Sequence, residues 1–307
     1  MPPELTQWRI LTDAEQPRVL PLLARCFPAY WETVAAQNSR FPFRERSFAA
    51  LTADGEPGGH VGVIEYDVSD GHGGRLKMGG IASVAVDECY RGLGVATRLC
   101  QLVIDWARER GDIASLPLYT GKYRVYAKSG WRNYQPFAPR RIRFAQTAPS
   151  PAPARLRGPE LTAAQRQAIA DIYAGNGDFP GKTVRRLDGD SFVDWPRIFA
   201  EPDYRFALGD NIAAILAEDA LLECNWRPGV PAPQVHAFLH GLAIDGVLDA
   251  SLPENSPAWN ALSAAGAIFD DCPRDLMHGE SPMFLDLAQP GPHEHPGAIF
   301  YPIVDKF

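Results

Sequence analysis

GGIASVAVDECYRGLGVATRLCQLVIDWA, running from Gly79 to Ala107, is the stretch that decides the fold. Ile81, Ser83, Val84, Ala85 and Val86 are β-compatible and put apolar residues on both alternating faces, as a strand covered on both sides requires. Leu99, Leu102, Val103 and Trp106 recur at the spacing of one helical face. Between strand and helix lies Arg91-Gly92-Leu93-Gly94-Val95-Ala96. A strand that feeds a glycine loop into a helix N-terminus aims several backbone N–H groups at one point. Unsatisfied amides and the helix dipole together make that point favourable for an anion.

Outward from this core on the N-terminal side, residues 7–12 predict a short strand. Asp13 then caps a helix reaching Cys26, with Pro17 and Pro21 bending its early part. Phe27, Tyr30, Trp31, Phe41 and Phe43 form an aromatic-rich region around a second helical segment, and residues 60–68 predict a strand. Gly71-His72-Gly73-Gly74 turns that strand into the central one. On the C-terminal side Gly111 ends the long helix, and strands are expected at 113–119, 131–134 and 141–144, with a short helix at 122–129 stopped by Gly130. Residues 146–159, rich in Pro and Ala, read as a semi-rigid linker between domains at 1–145 and 160–307. The second domain repeats the order of elements: helices at 162–174, 234–242 and 257–267, strands at 204–208, 212–217, 221–225, 247–251, 283–287 and 299–304. No close sequence repeat accompanies that order.

Bulk composition narrows the function. Thirty Lys and Arg against 37 Asp and Glu give a net charge of -7, so no basic excess exists to neutralise nucleic-acid phosphates. The N-terminus lacks a basic segment followed by an apolar one, and acidic residues interrupt the apolar runs, so neither a secretory signal nor a membrane span is expected. Cys26, Cys89, Cys100, Cys224 and Cys272 are odd in number and contain no CxxC pair, which fits reduced thiols and a cytoplasmic location. His236 and His240 are one helical turn apart without a flanking acidic ligand, and His293-Glu294-His295 sits among Gly and Pro; no metal is expected.

With strand, RGLGVA loop, helix, further strand and YAKSGW all in order, the first domain resembles the GCN5-related N-acetyltransferases. Their acyl-CoA signature, (Q/R)-x-x-G-x-(G/A), is matched by Arg91, Gly94 and Ala96. Their second signature, an aromatic residue shortly before Gly-Phe, is matched by Tyr126, Gly130 and Trp131. KMGGIASVAVDECYRGLGVATRL and PLYTGKYRVYAKSGW look most like the Eis-type members. The resemblance implies an α/β (α+β) fold of tandem acetyltransferase-like domains, each a mixed, mostly antiparallel sheet flanked by helices. The first would be catalytic and the second degenerate, and the sterol-carrier-like third domain of Eis would be missing.

It also implies acetyl-CoA as co-substrate. Arg91, Gly92, Leu93, Gly94, Val95, Ala96 and Thr97 would cradle the diphosphate, and Val84, Ala85 and Val86 would pair with the pantetheine arm like an added strand. A backbone N–H on that strand would polarise the thioester, an effect worth about 3 kcal/mol for one donor. Tyr126 stands where the family's general acid protonates the leaving thiolate, with Tyr119 and Tyr123 as weaker claimants. For the base, the residues themselves offer Glu65 and Asp67 on the preceding strand, and the Eis resemblance offers the C-terminal carboxylate of Phe307. Phe27, Tyr30, Trp31 and Glu32 are candidates for the acceptor pocket, equally well read as core under a loop. In the second domain Pro228, Pro231 and Pro233 remove N–H donors where a phosphate loop would lie. The expected activity is acetyl transfer to a primary amine of a small molecule, aminoglycoside-like or polyamine. A non-catalytic acyl-CoA-binding protein, a protein or peptide acetyltransferase, and a homo-oligomeric state all stay open.

Overall fold

The computed structural model describes residues 2–28, 46–133, 139–144, 151–252, 257–273, 276 and 281–287. The first half contains β1 (Leu5–Ile10), α1 (Leu20–Cys26), β2 (Arg46–Thr52), β3 (Pro57–Ser69), β4 (Arg75–Val86), α2 (Val95–Arg110), β5 (Ile113–Thr120), α3 (Tyr123–Ala127), β6 (Arg132–Asn133) and β7 (Arg140–Arg143). The second contains β8 (Arg155–Leu156), α4 (Ala163–Gly175), α5 (Trp195–Ala200), β9 (Tyr204–Leu208), β10 (Ile212–Ala217), β11 (Ala220–Trp226), α6 (Ala232–Leu242), β12 (Val247–Ala250), α7 (Pro257–Ala264), β13 (Ile268–Asp271) and β14 (Ser281–Asp286). They build two mixed, mostly antiparallel sheets flanked by helices, ordered β1-β2-β3-β4-β5-β14-β6 and β13-β7-β12-β11-β10-β9-β8. The expected strand–loop–helix at 79–107 is β4, its loop and α2.

The central helix forms where the stripe predicted it. Val95, Leu99, Val103, Ile104 and Ala107 of α2 are buried against Phe48, Ala50, Val61, Val63 and Ile81. Leu99 and Val103 are fully covered, each contributing about 1.5–3 kcal/mol by burial. Gly111, at φ +72°, ends the helix by donating to Ala107 O. On the opposite face of the sheet, Leu22 and Leu23 of α1 pack with Ala49, Leu51 and Ala85.

The sheets do not part at the Pro/Ala-rich segment. Each half lends a strand to the other: β7 lies between β13 and β12, and β14 lies between β5 and β6. Charge complementarity explains the first exchange. In β7 Ile142 enters the core of the second sheet, while Arg140, Arg141 and Arg143 meet Asp271, Asp249 and Asp270 respectively. Within the expected linker, Arg155 and Leu156 pair with Ala207 and Phe206 as an edge strand, so that part belongs to the second sheet.

The halves also interlock through β3. Ser69 donates to Lys182 O, Val184 donates to Asp67 O, and Val68 bridges Thr183. Phe192 and Val193 of the second half pack on Ile64, Tyr66, Ala82 and Phe284, sealing one end of the face that carries α1. A cavity of about 260 Å³ at this junction is lined by Arg75, Tyr173, Asp178, Lys182 and Arg185, and by none of the loop residues 91–97. Among the described residues no helix is long and apolar enough to cross a membrane.

Candidate active site

The site is a gap in the first sheet. The parallel ladder between β4 and β5 runs only through Lys77 with Ile113 and Met78 with Ser115. Past Met78 no further ladder pair joins the two strands, while the other edge of β4 stays paired to β3 as far as Val86. The outer edge of β5 is held by β14 from Ser115 to Thr120. The backbone of β4 at Val84, Ala85 and Val86 therefore has no ladder partner on the β5 side among the described residues.

At the end of β4, Asp87 accepts from Cys89 N–H and starts a short turn over Glu88–Tyr90. The Cys89 thiol and the Arg25 guanidinium hold its carboxyl below the usual range. Tyr90 then anchors the turn by donating to Pro3 O at 2.8 Å. Gly92 and Gly94 follow at φ +79° and +78°, a region that side chains with a Cβ rarely adopt. Arg91 and Leu93 donate back to Glu88 O and Tyr90 O, and Arg98 is the first donor of α2, reaching Gly94 O at 3.0 Å. The N–H groups of Gly92, Gly94, Val95, Ala96 and Thr97 make none of these backbone bonds. They lie at the positive end of a 16-residue helix whose first turn carries no acidic residue. Arg91 leans on Val86 O, and Arg98 stacks over Trp8 at 3.9 Å. This donor set suits a diphosphate.

The second motif packs against β5. Trp131 donates its indole N–H to Leu116 O at 2.7 Å, which ties the turn after α3 to β5. Tyr126 is buried edge-on to Trp131, with ring centres 6.1 Å apart. Tyr123 is exposed, and Tyr119 is packed between the halves. Phe27 is exposed at the end of α1; Tyr30, Trp31, Glu32 and Phe307 lie outside the described residues.

Glu65 is drawn elsewhere. Its carboxylate binds Arg110 at 2.7 Å and Arg46 at 3.1 Å, on the sheet face that carries α2. Glu65→Gln is expected to leave turnover within about twofold and to cost up to about 1 kcal/mol per lost pair in denaturant melts. A large fall in kcat would return Glu65 to the chemistry. Asp67 sits opposite Lys77 on the same strand pair.

One residue that sequence reading passed over lies against β4 from the neighbouring strand β3. His60 pairs with Ala85 and Gly62 with Ala82, so Val61 faces both Ser83 and Val84 and β4 bulges. Ser83 takes φ +50° there. The fully buried His60 ring places Nδ1 2.8 Å from Ser83 O and Nε2 3.1 Å from Ser47 Oγ. A carbonyl only accepts, so Nδ1 carries the proton and Nε2 accepts from the serine hydroxyl. Desolvation lowers the ring's pKa from 6.5 to about 4. Between those values the unfolded chain binds a proton that the folded one refuses, so this contribution is complete above pH 6.5 and fades as pH falls towards 4. Stability is expected to drop by up to about 3 kcal/mol over that window, with a shallower pH slope in His60→Asn melts. A lone His flanked by glycines inside an apolar strand was the available signal.

Among the described residues the second half has no equivalent loop after β11. After β11, Gly229 takes φ +88°, while Pro231 caps α6 and Pro233 sits in its first turn without an N–H. His236 and His240 pack against Phe144, each ring centre 5.1 Å away.

Comparison with known proteins gives the family and the fold. Residues 17–131 match the model of the acetyltransferase (GNAT) family. Over 125 residues the chain is 30% identical to the uncharacterized N-acetyltransferase YhbS of Escherichia coli K12, covering 40% of this chain and 71% of that protein. Two solved structures share the fold over 92% of this chain. One is a probable N-acyltransferase from Enterococcus faecalis V583 (15% identity, 72% of that chain, TM-score 0.61). The other is Eis1 from Mycobacterium abscessus (16% identity, 74% of that chain, TM-score 0.60). The chain belongs to the GNAT acetyltransferase family, and is an N-acetyltransferase by that membership.

Proposed function

We propose that this protein transfers the acetyl group of acetyl-CoA to a primary amine of a small molecule by direct attack on the thioester. The observation that carries the reading is the gap between β4 and β5, closed at one end by the N–H cluster of residues 92–97. The donor set fits the co-substrate: Gly92, Gly94, Val95, Ala96 and Thr97 would hold the diphosphate, with Arg91 and the exposed Leu93 flanking it. Val84, Ala85 and Val86 would pair with the pantetheine arm, and an N–H of this bulged segment would face the thioester oxygen as charge develops there. Bound acetyl-CoA supplies the acyl group and the thiol leaving group. Tyr126, buried edge-on to Trp131, would protonate the departing thiolate.

The catalytic unit in this reading is the first sheet with its helices, β14 included and β7 excluded, and the second half shapes one side of the acceptor space through Phe192 and Val193. The aromatic segment from Phe27 to Glu32 would supply the rest of that space. An aminoglycoside-like or polyamine acceptor is the choice that the Eis-like motifs favour. The test is thiol release from acetyl-CoA with a panel of aminoglycosides, polyamines and peptide amines. Turnover confined to small amines is the expected result. Acetyl-CoA binding without turnover on any amine, or preference for peptides, would overturn it.

A further inference from the structure

We propose that His60, braced by Ser47, is a positioning residue that holds the bulge of β4 in the shape needed to polarise the thioester. This rests on the acyl-CoA reading of the gap. A bulge turns one peptide out of the ladder, and here the residue at the turn is Ser83, at a φ of +50° where a side chain is strained. Such a conformation persists only where its surroundings over-determine it. The restraint present is specific: the Ser83 carbonyl receives the His60 Nδ1–H at 2.8 Å. The far ring nitrogen is fixed in turn by the Ser47 hydroxyl on β2, so the ring cannot rotate away.

The consequence runs along the backbone. The Ser83 carbonyl belongs to the same peptide plane as the Val84 N–H, and a trans peptide directs the two oppositely. Drawing Ser83 O down to His60, on the face that carries α1, therefore directs the Val84 N–H away from His60 and fixes its angle beside the gap. His60 touches no reacting atom. It sets the angle of a donor whose value depends on being preorganised.

The experiment compares His60→Leu, His60→Asn and the parent protein, with three readouts. Leucine removes both bonds; asparagine puts an amide donor where Nδ1 lies. Expected for leucine is a kcat lower by about 30-fold, part of the 10²–10³ that deletion of a whole donor costs. CoA affinity by calorimetry should stay within about threefold, since the loop amides are untouched. Asparagine should recover most of the rate. Infrared spectra of bound [¹³C]acetyl-CoA should show the carbonyl band moving to higher wavenumber in the leucine variant and back in the asparagine variant.

Unchanged kcat and band position in a folded leucine variant overturn the proposal. So does loss of rate together with CoA affinity, or loss that asparagine fails to rescue, because either marks a merely structural histidine. Should the leucine variant not fold, Ser47→Ala frees only the far nitrogen and must move the band in the same direction. The band is read without an amine acceptor, so a wrong assignment of function shows separately, as parent protein that turns over no amine or does not bind acetyl-CoA.

Discussion

Gly94→Val is expected to raise the dissociation constant for acetyl-CoA at least 100-fold while leaving the protein folded. Gly94 occupies the left-handed region at φ +78° and serves as N-cap of α2. A Cβ built there meets nothing within 4 Å, so the fold itself offers no steric objection. The loss comes from two other sources. A β-branched residue at positive φ costs about 1–3 kcal/mol, which the loop escapes by abandoning the conformation that gathers its N–H groups. Should the loop hold, the side chain fills the space that a diphosphate must enter to reach them. A hundredfold loss corresponds to about 2.7 kcal/mol, within reach of either route. Calorimetric titration with acetyl-CoA checks it, and Gly94→Ala, with less strain and less bulk, should fall between the two. Retained affinity would remove the loop from the binding site.

Tyr126→Phe carries the second large effect. The exchange keeps the ring that packs edge-on against Trp131 and deletes only the hydroxyl. A positioned general acid contributes about 10²–10⁴ in rate, so kcat should fall roughly 100-fold. Acetyl-CoA affinity should stay within about threefold, because the diphosphate contacts come from the loop. Loss of a buried hydroxyl costs about 1 kcal/mol, a fall in Tm of a few degrees that keeps the variant testable. A phenol suits the task because its ordinary pKa near 10 lies close to that of the departing thiol. Unchanged thiol release would leave Tyr126 as a core side chain and point to another acid in the gap.

Much of the candidate site is written locally in the sequence. The Arg91–Ala96 loop, the apolar stripe of α2 and the Tyr126-Gly130-Trp131 group each lie within a few residues of one another. Their meaning depends on backbone geometry over a single turn. Glu65 shows where such reading stops. On a strand it looks like an available carboxylate, yet Arg110 reaches it from 45 residues away. His60 shows the same limit from the other side: a lone histidine in an apolar strand is visible locally, but its role is not, because its partners Ser47 and Ser83 come from two other strands. β2 was likewise invisible, since Phe48, Ala49, Ala50 and Leu51 are buried on both faces and show no alternation.

The sequence by itself determined the β4–loop–α2 unit and the repeated order of helices and strands in the two halves. Helix stripes, caps and positive-φ glycines are governed by neighbours one to four residues apart, so they can be read along the chain. Only the tertiary structure decided that β7 and β14 change places between the sheets. Ser115 on β5 bonds Leu285 across 170 residues, and a strand's partner is set by hydrogen bonding to a distant edge that leaves no local mark. The same long-range pairing opened the gap beside β4. By bending the strand at Ser83, it also shaped the edge of β4 that the proposed acyl-CoA groove uses.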